Sequence, residues 1–258
     1  MKKYYIALIM LTGFAKAFSQ EVTKTNKVAF QAGEQITYKL RYGIFTAAEA
    51  VIKVENTPKR FEDKPALHIA ADAKTAGTFN FLFKVRNQYE TFINPQTLLP
   101  YYYSENRQEA KYRHSDKVTF DHENNVITAD KGKFPFKGNV FDFLSAYYFA
   151  RNIDVSQLKI GQKLDMRYFL EDGIHSLTIT YLGKEQVKCS LGTFNCLKFN
   201  PTIIPGRIFR KNSMLYLWIT DDKNRIPVKA HVELIVGSLV MDLSQASGLK
   251  YPLNPVKK

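Results

Sequence analysis

Cysteine is scarce, with two in 258 residues, Cys189 and Cys196. That excludes a disulfide-dense scaffold and any four-cysteine zinc module. Their spacing is not C-x-x-C, which argues against a thioredoxin-like redox pair. The chain also lacks a G-x-S-x-G elbow, an H-E-x-x-H helix, a phosphate-binding Gly-rich loop and a dinucleotide fingerprint. No recognisable catalytic handle remains, and the reading is of a protein that is not an enzyme and carries no cofactor. Beyond the first twenty residues no apolar run is long enough to span a bilayer as a helix. There is no Pro/Ser/Gly-rich linker and no repeat, so nothing marks a domain boundary. Acidic residues are outnumbered, 24 against 37 Lys and Arg.

The opening twenty residues, MKKYYIALIMLTGFAKAFSQ, differ from the rest. Lys2 and Lys3 precede an apolar core from Tyr4 to Phe14, and Ala17-Phe18-Ser19 has the small-x-small pattern of a cleavage box. This predicts a secretory signal peptide over 1–19, cut after Ser19, and a periplasmic product. The core is too short for a stop-transfer anchor. Removing 19 residues from 258 leaves 239, and the formal charge of +13 loses Lys2, Lys3 and Lys16 to become +10. Export makes a nucleic-acid partner implausible. A basic surface outside the inner membrane meets lipid headgroups, lipopolysaccharide or acidic glycans, unless the scattered charge serves solubility alone.

Alternation dominates the rest of the chain. Ile36, Tyr38, Leu40 and Tyr42 interleave with Thr37, Lys39 and Arg41, a period of two that buries one face. Similar runs recur to Leu243, joined by short polar turns such as Glu123-Asn124-Asn125 and Glu171-Asp172-Gly173. Phe79–Ile93 reads as one long strand, or two divided by a bulge. The pattern predicts an all-β chain folded as one large curved antiparallel sheet, without βαβ units. One β domain over 28–251 is expected, preceded by a flexible lead over 20–27 and followed by a fraying tail over 252–258. Gly192-Thr193 reads as a hairpin tip that would set Cys189 opposite Cys196. A disulfide is the default for such a pair after export.

The exception to alternation is NVFDFLSAYYFAR, residues 139–151. It predicts a helix capped by Asn139, with Phe141, Leu144, Tyr148 and Arg151 on one face and Phe143, Tyr147 and Ala150 on another. A short helix apolar on both faces is buried on both. The natural place is the hollow of a curved sheet, where it either fills the core or lines a cavity. On the second reading Phe141, Leu144, Tyr147, Tyr148 and Trp218 are the apolar lining. Arg151, with Arg207, Arg210 and Lys211 of the basic-aromatic stretch Gly206–Lys211, would meet an anionic headgroup. Of the five histidines, His114 and His122 flank one strand near Asp116 and Asp121, a pattern better explained by polar strand positions than by a metal. Asp221–Asn224 lacks the glycine and distal glutamate of an EF-hand loop and reads as a polar turn.

Several segments resemble an exported bacterial family known only as domain of unknown function 3108, in its Bacteroidetes form. FQAGEQITYKLRYG, residues 30–43, resembles its F-x-x-G-E-x-Φ-x-Y opening, Φ being apolar, and FDFLSAYYFAR resembles its D-x-L-S-x-x-Y-x-x-R helix. LGTFNCLKFNP, GRIF, LWITDDKNRIPV and VGSLVMDL are similar to its C-terminal pattern. The resemblance covers about residues 28 to 251. It implies a periplasmic, incompletely closed spiral barrel of lipoprotein-carrier type with a helix in its hollow. It carries no catalytic residues. The expected function is binding of an apolar or amphipathic envelope ligand, a lipid or a lipoprotein acyl chain. The alternatives are a module that binds an envelope protein partner without a small ligand, and a glycan-active enzyme with paired carboxylates.

Overall fold

The computed structural model describes residues 20–21, 28–171, 173–202 and 214–256. Two antiparallel meanders make up the fold. The first runs through β2 (Gln35–Tyr42), β3 (Phe45–Phe61), β4 (Lys64–Thr75), β5 (Val85–Ile93), β6 (Pro100–Glu109), β7 (Tyr112–Asp121), β8 (Val126–Ala129) and β9 (Gly132–Pro135). The second runs through β10 (Lys163–Leu170), β11 (Gly173–Cys189), β12 (Gly192–Pro201), β13 (Leu215–Thr220), β14 (Pro227–Glu233) and β15 (Ser238–Ser247). β15 pairs with β2, so the two meanders are one antiparallel sheet of 14 strands. A two-residue strand, β1 (Gln20–Glu21), adds in parallel to β10.

The sheet is not closed: among the described residues β9 and β10 do not pair. Side chains and one loop approach across the gap instead. Phe134 of β9 lies 5.0 Å, ring to ring, from Phe169 of β10. The Phe141 amide donates to the Arg167 carbonyl at 3.0 Å and its carbonyl accepts from Phe169 at 2.7 Å. These bonds occupy part of the edge that β10 would otherwise expose.

Helix α2 (Phe143–Ala150) connects the two meanders. It starts later than Asn139, because Asp142 is the N-cap. The Asp142 carboxylate accepts from the amides of Leu144 and Ser145 at 2.8 and 2.9 Å. The Asp142 amide donates in turn to the Ser145 hydroxyl oxygen at 3.0 Å, completing a capping box. Leu144, Ala146, Tyr148 and Phe149 of the helix share a core cluster with Val54, Ile69 and Ile93 from the first meander. Leu164, Met166 and Phe199 from the second join the same cluster. The helix therefore packs against both halves of the sheet.

The apolar run at 79–93 is not all strand. A single helical turn, α1 (Phe79–Leu82), precedes β5 and none of its residues is buried. Burial, not propensity, holds a strand in a sheet, and these side chains have no core to face.

The cysteine hairpin also differs from expectation. Its tip is Ser190-Leu191, because Cys189 pairs with Gly192 and Cys196 pairs with Glu185. The Val187–Phe194 pair separates the two thiols along the ladder, and both cysteines are free. A bulge at Tyr181/Gly183 switches the faces of β11. Tyr181 points to the cluster around α2, whereas Val187 joins a second cluster with Phe194, Cys196, Trp218 and Val228. The tail predicted to fray lies against this hairpin: the Val256 amide donates to the Thr193 carbonyl at 2.7 Å, and Leu253 packs on the second cluster.

Candidate functional site

Arg151 sits at the C-cap of α2 and is 2% exposed. Its guanidinium holds Glu34 as a fork, Nη1 to Oε1 at 2.5 Å and Nη2 to Oε2 at 2.9 Å. Nε and Nη2 also donate to the Asn224 carbonyl at 3.1 and 3.0 Å. The Tyr148 hydroxyl donates to Glu34 at 3.1 Å, and the Tyr38 and Tyr147 hydroxyls lie 3.1 Å apart. Phe30 stands edge-on to Tyr148, at 4.5 Å between rings. Burial opposes the charge on Arg151, but the Glu34 carboxylate holds its pKa above the usual guanidinium range. Burial pushes the Tyr38 and Tyr148 hydroxyls well up, so both stay neutral.

This network ties the entry of β2, the end of α2 and the β13–β14 turn. That turn is built around Asp222, whose Oδ1 accepts from the amides of Asn224 and Arg225 at 2.9 and 3.1 Å, and from the Thr220 hydroxyl at 2.7 Å. Arg151 is thus placed inside the molecule, with Glu34 and not a headgroup as its anionic partner. Phe141, Leu144 and Tyr148 are buried and Tyr147 is partly buried, all within the core cluster around α2.

Trp218 is separate from that cluster. It lies where the outer half of β11 folds toward β14, β15 and β2. Two adjoining clefts open there, of about 350 and 320 Å³. Both are lined by Arg41 and Lys188. The first adds Trp218, Lys229, His231 and Glu185. The second adds Lys39 and Asp242. Lys39, Arg41, Lys188 and Lys229 outnumber Glu185 and Asp242. The acids already have partners: Asp242 pairs with Arg41 and Glu185 accepts from the Trp218 indole and from Lys198. Lys198 Nζ stands 5.0 Å from the Trp218 ring centroid. The two clefts thus combine an aromatic wall with an excess of positive charge. The register explains the convergence: His231 pairs with Val240, and Val240 with Arg41, in one row across three strands. No run of basic residues announces this site, because its cations come from three separated segments, β2, β11 and β14.

A second polar group lines the inner face of β6 and β7. Glu105 is directly cross-strand from Asp116, and both are buried. Glu105 accepts from the Tyr103 hydroxyl at 2.8 Å and lies 3.2 Å from His114 Nε2. His122 is apart from it, bonded to the Pro100 carbonyl at 2.8 Å. No group of three or more metal-ligating side chains occurs among the described residues. Arg207, Arg210 and Lys211, and the signal segment 1–19, lie outside the described residues. No helix among the described residues is long and apolar enough to cross a membrane.

Comparison with known proteins agrees with the architecture. The model of the family described as protein of unknown function (DUF3108) matches residues 37–244. A crystal structure of a beta-barrel-like protein of domain of unknown function DUF1849 from Brucella abortus superposes with a TM-score of 0.51. The two share 10% identity over 83% of this chain and 96% of that one. At that identity the likeness is one of fold. No curated protein matches the chain.

Proposed function

The chain belongs to the DUF3108 family, and we propose that it is a non-enzymatic, exported binding protein for an anionic amphipathic molecule of the cell envelope. The observation that supports this is the pair of basic clefts beside Trp218, where Arg41 and Lys188 face both spaces. An anionic head enters the clefts, which at about 350 and 320 Å³ suit a headgroup better than a whole lipid. Arg41 and Lys188 meet its charge, Trp218 and Val187 its less polar part. The aromatic helix lies in the hollow of the open barrel as a filler that fixes curvature, not as the wall of an acyl pocket. This moves the ligand from the residues around α2 to the opposite face of β12 and β13.

Native mass spectrometry of mature protein purified from the periplasm, before and after solvent extraction, tests the reading. A discrete anionic adduct that extraction removes supports it, and the adduct should be absent from an Arg41→Gln/Lys188→Gln variant. A bare protein mass in both states, with no binding of added anionic amphiphile, overturns it.

A second reading has one observation in its favour. Glu105 and Asp116 are cross-strand neighbours with His114 beside them, and glycan hydrolysis is carried out by paired carboxyl groups. Turnover of a cell-wall glycan that is abolished by Glu105→Gln would establish it.

A further inference from the structure

One end of the barrel is apolar where a protein surface is normally wet. The antiparallel order puts the β2–β3, β4–β5 and β14–β15 connections at the same end. Ile44 in the first is 89% exposed, Phe81 and Leu82 in the second are 93% and 74% exposed, and Val236 in the third is 70% exposed. Phe45 and Phe83 are exposed as well. These are separate loops, but they are tied together through Tyr42. Its ring lies 6.4 Å from Phe79, and its hydroxyl donates to the Val236 carbonyl at 3.1 Å. The tips therefore project as one group. Exposed patches of this kind mark contact surfaces.

Charge decides what they contact. Behind the tips, one row of cross-strand neighbours crosses the sheet: Lys39, Glu49, Lys74, Arg86, Gln108 and Arg113. It holds four cations and one acid. Lys74 and Arg86 face each other directly, a like-charge pair that costs stability unless an anionic surface meets it. Apolar tips ahead of a basic collar match the depth profile of an anionic bilayer, with acyl chains inside the headgroup layer. We propose that this end docks on an anionic lipid surface, with the α1 segment and Ile44 entering the interface and the Lys74–Arg86 row lying among the headgroups. The contact shares Lys39 with the second cleft and is otherwise made of different residues.

Flotation with vesicles of phosphatidylethanolamine and phosphatidylglycerol tests it, against phosphatidylcholine vesicles as control. The protein should float with the anionic vesicles, less so as salt rises. Phe81→Asp/Leu82→Asp should abolish flotation without changing the melting temperature, since neither side chain is packed. Lys74→Gln/Arg86→Gln should weaken binding by about fivefold per charge removed. The cleft variant Arg41→Gln/Lys188→Gln should still float, which separates this proposal from the cleft reading. Absence of flotation, including when the end instead captures an acidic protein, overturns the proposal. So does flotation unaffected by Phe81→Asp/Leu82→Asp.

Discussion

Glu34 and Arg151 are 117 positions apart and meet in a fully buried fork. Both belong to the motifs by which the sequence resembles its family, as do Phe30, Tyr38, Asp142, Ser145 and Tyr148. The motif residues thus fold onto one another and hold the chain together. That the two motifs matter was legible; that they face each other was not, because helical spacing gives a face and not a depth. Arg151 reads from the sequence as a headgroup contact for that reason. Removing one partner leaves the other charge buried, so Arg151→Met should cost about 3–5 kcal/mol in chemical denaturation, and the double variant Glu34→Leu/Arg151→Met distinctly less than the sum of its singles. Gly248 is a second demanding position: its φ is +63°, and a Cβ there would stand 1.9 Å from the Gly33 carbonyl oxygen. Gly248→Ala should destabilise by at least about 1–3 kcal/mol, read as a lower denaturation midpoint. His122 gives a pH signature. Burial holds its pKa below the usual imidazole value despite the bond to Pro100. The unfolded chain then binds the proton more readily, so the stability from neutral His122 is fully present above about pH 6.5 and is lost as pH falls from there through the lower folded-state pKa. His122→Gln should flatten that slope in urea midpoints measured between about pH 5 and 7.

Elements were legible where one face is wet. β2, β10 and the β7–β8 hairpin follow their alternation, and β10 ends at Leu170 and β11 begins at Gly173, the place where the composition predicts a turn. Errors arose where both faces are apolar or neither is buried. The run at 79–93 has strand composition, but its first part is exposed and coils into α1. The cysteine hairpin slipped in register because Gly192-Thr193 and Ser190-Leu191 are adjacent turn candidates, and only the pairing distinguishes them. That slip has a chemical consequence. Burial, reinforced by Cys189, pushes the Cys196 thiol up to about 12, and burial raises Cys189 as well. Thiol titration should find two free cysteines after denaturation, with Cys196 unreactive while the protein is folded. A mass two protons lower, removed by reductant, would show a disulfide instead. The α2 cap is testable at the same scale: Asp142→Ala removes the oxygen that accepts from both amides and the Thr91 hydroxyl's acceptor at 2.7 Å. The expected loss is about 2 kcal/mol, with Asp142→Asn retaining part of it.

At the scale of the whole molecule, an open sheet gives two different surfaces. The face toward α2 is filled by aromatic side chains and a paired charge. The opposite face, where the bulged β11–β12 hairpin folds over β14, β15 and β2, leaves the two clefts open. The sequence conveyed the curved sheet and the buried helix, because both rest on local periodicity. It did not convey the clefts, because Lys39, Arg41, Lys188 and Lys229 converge only through strand order. Trp218 lines the first cleft and is the chain's single tryptophan, so its fluorescence reports on that site without labelling. The most direct test of anionic-ligand binding in the clefts is a titration of Trp218 fluorescence with monomeric lysophosphatidylglycerol, with lysophosphatidylcholine as the control. Binding in the clefts predicts a saturable change with the anionic lipid, weakened at least about tenfold in Arg41→Gln/Lys188→Gln at unchanged stability. No saturable change, or equal binding of both lipids by both proteins, would contradict it.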